Sequence, residues 1–108
     1  MVSAERQKAY TAKVKLAIMA LLCGECSEPG KEDVDTLRMI EESVWTADED
    51  RERDLGWASD NALCVICTEN GLPGTYDHYG IEFYFDVMNA VGKLVEPYNA
   101  AIIVVYDD

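Results

Sequence analysis

The chain is poor in several things at once. Of its 108 residues only three are proline, one is histidine and nine are lysine or arginine, against 21 aspartates and glutamates. The shortage of bases leaves a net charge of −12, so a nucleic-acid backbone is repelled and direct nucleic-acid binding is excluded as the main activity. No apolar run reaches the roughly 20 residues that span a bilayer, which excludes a membrane-spanning helix. There is no glycine-rich phosphate loop and no Gly-x-Ser-x-Gly elbow. With one histidine, His78, acid–base and nucleophilic pairings have little to draw on, and nothing in its spacing from Asp77 or a cysteine sets up a catalytic pair. These absences favour a protein that binds over one that catalyses.

What remains is enough for a fold. Apolar residues make up 49% of the chain, and a domain of this length buries about two-thirds of its unfolded surface, so one domain over 1–108 needs no covalent staples. Lys13 and Lys15 precede the apolar run Leu16–Cys23, but the run is short for a signal peptide, Glu5 interrupts the basic stretch, and no small-residue cleavage site follows. The sequence predicts a cytoplasmic protein.

Periodicity predicts a helix over 4–23, with Ser3 as N-cap and Tyr10, Val14, Ala17, Ile18, Leu21 and Leu22 as its buried stripe. Ser27–Gly30 reads as a turn. A second helix is expected over about 32–45, burying Val34, Leu37, Ile40, Val44 and Trp45. Thr46-Ala47-Asp48-Glu49 has the form of a capping box and opens a short helix through Leu55, closed by Gly56. Leu63–Thr68 reads as a buried strand. Ile81–Val95 fits two periods; a strand over 81–85 and a helix from Asp86, as cap, to Val95 is the expectation. Ala101–Tyr106 reads as a central strand. The fold class is α+β, with two or three N-terminal helices packed on a small C-terminal β-sheet with one further helix.

The four cysteines form two Cys-x-x-Cys pairs, Cys23/Cys26 and Cys64/Cys67. Four thiolates suit structural zinc, and zinc is the one cofactor the sequence allows. Buried free thiols are the other reading, and the one favoured. Residues i and i+3 of a strand face opposite ways, roughly 10 Å apart, so Cys64 and Cys67 share a metal only if their segment is a turn. A redox pair is disfavoured because Cys23 and Cys26 fall at a helix C-terminus beside Glu25, which holds a thiolate at a disadvantage. Asp48-x-Asp50-x-Glu52-x-Asp54 resembles the front of a calcium loop but has Arg53 where glycine is required and Ser59 where a bidentate glutamate is required.

Charge is segregated. Residues 1–15 are mildly basic, whereas residues 25–60 hold thirteen acids and four bases. Carboxylates one helical turn apart stand about 6 Å from one another, close to phosphate spacing along a strand. The expected partner surface therefore comprises Asp35, Glu41, Glu42, Asp48, Glu49, Asp50, Glu52 and Asp54, a carboxylate row imitating nucleic acid and docking on a basic nucleic-acid-binding protein. In size and charge the chain is similar to phage anti-restriction and anti-CRISPR proteins, and that likeness of character implies an inhibitor or DNA mimic. The alternative is a protein–protein adaptor or complex subunit anchored by a tyrosine-rich loop, Tyr76 and Tyr79, with or without a structural zinc held by the four cysteines.

Overall fold

A computed structural model describes residues 2–23, 33–75 and 77–107, except the side chains of Cys23 and Asp33. Helix α1 (Ala4–Cys23) is followed by α2 (Asp33–Ser43), strand β1 (Val44–Thr46), α3 (Ala47–Glu52), β2 (Ala62–Cys67), α4 (His78–Val91), β3 (Leu94–Pro97) and β4 (Ile102–Tyr106). The four strands form one antiparallel sheet in the order β1-β2-β4-β3. The fold is thus α+β, with most helices early and one between the second and third strands.

Local chemistry explains the elements that the sequence predicts well. The Ser3 hydroxyl accepts from the Arg6 N–H at 3.2 Å and caps α1. Val14 and Ile18 are fully buried, and Tyr10, Ala17, Leu21 and Leu22 pack against them. The capping box is formed in full. The Glu49 N–H donates to the Thr46 hydroxyl at 3.1 Å, and the Thr46 N–H donates to the Glu49 carboxylate at 3.2 Å. Strand β4 is paired on both edges and covered on both faces, Ile103 and Val105 in one core and Ile102 and Val104 in the other, which accounts for its unbroken Ile102-Ile103-Val104-Val105 run.

Four expectations are corrected. The second helix stops at Ser43, and Val44–Thr46 pairs with β2 in the register Val44↔Ile66, Trp45↔Val65, Thr46↔Cys64. A strand sends consecutive side chains to opposite faces, so Val44 joins the helix-side core and Trp45 the other. Val34 and Leu37, expected in the buried stripe, are exposed. The third helix ends at Glu52, short of Leu55; Asp54 and Gly56, both at positive φ, carry the chain out of it. Finally, 81–85 is no strand. One helix, α4, runs from His78 to Val91, with Asp86 inside it rather than at its cap, and β3 follows. Gly92 in the left-handed conformation ends α4, its N–H donating to Met88.

The sheet separates two cores. On the helix side lie Val14, Ile18, Ile40, Ile66, Phe83, Val87 and Ile103; on the other, Trp45, Val65, Ile102 and Val104 under Trp57 and Ala58. A register irregularity between Ala62 and Cys64 turns both Leu63 and Cys64 to the helix side. At the start of α4, Gly80 lies against the backbone of Gly74 so closely that a Cβ there would fall 1.7 Å from the Gly74 carbonyl oxygen. Only glycine allows that approach.

The end of β4 is tied to α1. Arg6 donates from Nε and Nη2 to the two oxygens of Asp107, each at 2.8 Å, and Lys93 Nζ lies 3.0 Å from the same carboxylate. These donors hold the Asp107 pKa down to about 2, from an ordinary 3.8. The ion pairs therefore stabilise the fold in full above pH 3.8, and that contribution fades as pH falls towards about 2. Asp107→Asn should lower the thermal midpoint at neutral pH. The gap between variant and native protein should close across that acid window, as read by unfolding curves at a series of pH values.

Candidate functional site

The acidic stretch divides once its side chains are placed. Asp50 is completely buried. Its Oδ1 accepts from the Trp45 indole N–H at 3.2 Å, and its Oδ2 accepts from the backbone N–H groups of Trp57 and Ala58 at 3.1 and 2.9 Å. A buried carboxylate is tolerable only when hydrogen-bonded, and this one folds the 53–58 segment back over the sheet. Asp50 is thus removed from the expected partner surface, because its oxygens are spent inside the fold.

Asp48 and Glu49 are partly committed. Asp48 Oδ1 accepts from Gln7 Nε2 at 3.1 Å and from Arg51 Nη1 at 2.9 Å, while the Asp48 N–H donates to Gln7 Oε1 at 2.8 Å. Gln7, itself fully buried, thereby fastens α1 to the first turn of α3. Glu49 closes the capping box and lies 3.6 Å from Arg53. Glu41 pairs with Lys15 at 3.0 Å. Among the described residues, Asp35 and Glu42 on α2 and Glu52 and Asp54 at the end of α3 are exposed and have no cation against them. Arg38, also exposed, stands between Asp35 and Glu42 in the α2 sequence.

The other predicted residues scatter. Tyr76 and Cys26 lie outside the described residues, as does the side chain of Cys23. Tyr79 is in the first turn of α4 rather than a loop, 45% exposed, its ring 6.2 Å from that of Phe83. It lines a shallow cleft with Leu21, Glu82, Phe83 and Asp86. His78 is exposed and pairs with Glu82 at 3.1 Å. Cys64 and Cys67 belong to β2, not to a turn. Cys64 faces the helix-side core and Cys67 packs against the opposite one, so these two cannot ligate one ion together. Burial pushes the Cys64 thiol up to about 12, which keeps it protonated. Among the described residues no group of three or more histidine, cysteine, aspartate or glutamate side chains could hold a metal ion, and no helix is long and apolar enough to cross a membrane.

Sequence reasoning missed a concavity. A groove of about 230 Å³ runs between α4 and the β3–β4 side of the sheet, lined by Ile81, Tyr84, Phe85, Val95, Pro97 and Ile103. Thr75 completes it, and none of these side chains is a carboxylate, imidazole or thiol. Expecting Phe83 and Phe85 to share a strand face hid it. On a helix they part: Phe83 is buried and Phe85 is 56% exposed.

The fold and surface define a class: an α+β domain with a net charge of −12 and an apolar groove beside α4. No family model matches the chain, and no curated protein or solved structure does either.

The division among the carboxylates is measurable. Asp50→Ala strands three buried donors and should cost about 2–4 kcal/mol, whereas Glu52→Lys, on the surface, should change stability by no more than about 0.5 kcal/mol. Urea unfolding of the two variants checks both.

Proposed function

We propose that the protein is a small acidic binding protein, not an enzyme, whose exposed carboxylates on α2 and at the end of α3 dock on a basic partner. The observation that carries this reading is the exposed set Asp35, Glu42, Glu52 and Asp54, none of which is in an ion pair with a lysine or arginine among the described residues, although Arg38, one helical turn from both Asp35 and Glu42, dilutes their charge. Like charges without cationic partners cost stability through self-repulsion; a cationic partner relieves that cost. Asp35 and Glu42 are seven residues apart on one helix, hence about 10 Å along its axis, a spacing that lysines and arginines lining a nucleic-acid channel can meet. The partner class is therefore a nucleic-acid-binding protein, and the mode is nucleic-acid mimicry leading to inhibition. The mimicking row is shorter than the full run of acids in 48–54, because Asp50 is internal and Arg51 and Arg53 hold Asp48 and Glu49.

The test is affinity capture from a lysate of the source cell, using the native chain and a variant with Asp35, Glu42, Glu52 and Asp54 each changed to lysine. Proteins held by the native chain should be released between about 50 and about 200 mM salt and by added duplex DNA, and the variant should not hold them. A captured set that is indifferent to salt, DNA and charge reversal would contradict the reading.

A further inference from the structure

We infer that the turn between β2 and α4 modifies itself: the backbone nitrogen of Gly71 attacks the Asn70 carboxamide, and residue 70 passes through a cyclic imide to aspartate and isoaspartate. This site is separate from the carboxylates of α2 and α3, and the inference does not rest on them. A side-chain amide attacked by the next residue's nitrogen closes a five-membered ring when it belongs to asparagine, and a side chain on that next residue shields the nitrogen. Asn70 is the one asparagine of the chain followed by glycine; Asn61, Asn89 and Asn99 each precede alanine.

The fold leaves both reacting groups open. Asn70 and Gly71 are exposed, and among the described residues neither the Asn70 carboxamide nor the Gly71 N–H has a hydrogen-bond partner. The nitrogen is therefore free to shed its proton to water, and the amide is free to reach near-attack geometry. The other asparagines are held. The Asn99 carboxamide oxygen accepts from the N–H groups of Ala101 and Ile102 at 2.8 and 2.9 Å. That of Asn61 accepts from the Ser59 hydroxyl at 2.8 Å, and the Ala62 N–H that follows it donates to the Ser59 carbonyl at 3.1 Å. Asn89 lies inside α4, where the next N–H is engaged in the helix ladder.

Water is the only other reactant. The Gly71 nitrogen bonds to Asn70 Cγ, the carboxamide C–N bond breaks, and ammonia leaves carrying the proton that Gly71 gave up. Water then opens the imide. Attack at the side-chain carbonyl gives aspartate on an unchanged backbone; attack at the main-chain carbonyl gives isoaspartate, with the chain running through Cβ and Cγ. Either product adds one negative charge to a chain already at −12. Isoaspartate also lengthens a turn that is fastened at both ends. On one side the Thr68 N–H and hydroxyl donate to the Ala101 carbonyl at 2.7 and 2.9 Å. On the other Leu72 is buried in the helix-side core. Between them Gly71 lies against Met39 of α2, so closely that a Cβ there would fall 2.8 Å from the Met39 sulfur. The added methylene must therefore disturb the contact between this turn and α2.

The test incubates the purified full chain, and beside it a synthetic peptide of residues 66–75, at neutral and at mildly alkaline pH over days. Intact mass, ion exchange and peptide mapping that separates aspartate from isoaspartate follow both. The full chain should gain the mass of an amide-to-acid exchange, elute as more acidic species and carry the change at residue 70 as both products, faster at the higher pH. Its rate should lie within about tenfold of the peptide's, well inside the roughly hundredfold that misplaced reacting atoms cost. Asn70→Gln, whose ring would need six members, should lose the change over the same period, and as Asn70 is exposed its thermal midpoint should stay close to native. Lysine substitution at Asp35, Glu42, Glu52 and Asp54 should leave the rate within the same tenfold, which separates this site from the binding surface. A folded chain slower than its peptide by more than that, a change that appears first at Asn61, Asn89 or Asn99, or aspartate formed without isoaspartate would overturn the proposal.

Discussion

The Asp50 carboxylate is the interaction on which the second face of the sheet depends. Helices α1, α2 and α4 cover one face; among the described residues the other is covered by α3 and the segment carrying Trp57 and Ala58. That segment has little regular structure to hold it. Its two backbone donors meet Asp50, which at the same time receives the Trp45 indole from β1. One side chain thus ties an edge strand, a short helix and a loop into one cover, and lets Val65 and Val104 be fully buried. The Trp45 and Trp57 rings, 6.4 Å apart, lie over the same core, and the Arg53 guanidinium sits 4.8 Å from the Trp45 ring.

Acidic residues that look alike in sequence therefore do unlike things in the fold. Asp48, Glu49 and Asp50 have partners that position α3, while Glu52 and Asp54 face water. Only Asp50 leaves the exterior; Asp48 and Glu49 stay on it but paired, Asp48 with Arg51 and Glu49 with Arg53. The remaining exposed carboxylates include Asp35 and Glu42 on α2, Glu52 and Asp54 at the end of α3, and Glu82 and Asp86 on α4.

Much of the fold was legible because its signals are local. The Ser3 cap, the α1 stripe, the capping box at Thr46 and the apolar runs of β2 and β4 each need only a few neighbours to be read. The failures arose where two periods overlap. Ile40 and Val44 are four apart, so helical spacing ran on into β1. In 81–95 the alternation of Ile81, Phe83 and Phe85 competed with a helix; Gly92 was the stop signal that would have settled it, since glycine just past a helix takes the left-handed conformation. The candidate site was less legible still. Nothing in an Asp-Glu-Asp string says which carboxylate turns inward. The usable hint was the pair of tryptophans on either side, because an indole N–H in a core needs an acceptor. The groove could not be seen at all until α4 and β3 were correctly divided.

The most direct measurement of the Asp50 arrangement is native-state hydrogen exchange. The Trp57 and Ala58 amides and the Trp45 indole N–H should exchange only through global unfolding, at the rate of the slowest β2 and β4 amides. The amides of 52–54 should exchange much faster than these three. Were Trp57 and Ala58 to exchange as fast as 52–54, the carboxylate would not be holding the cover in place, and the division between internal and exposed acids would fail with it.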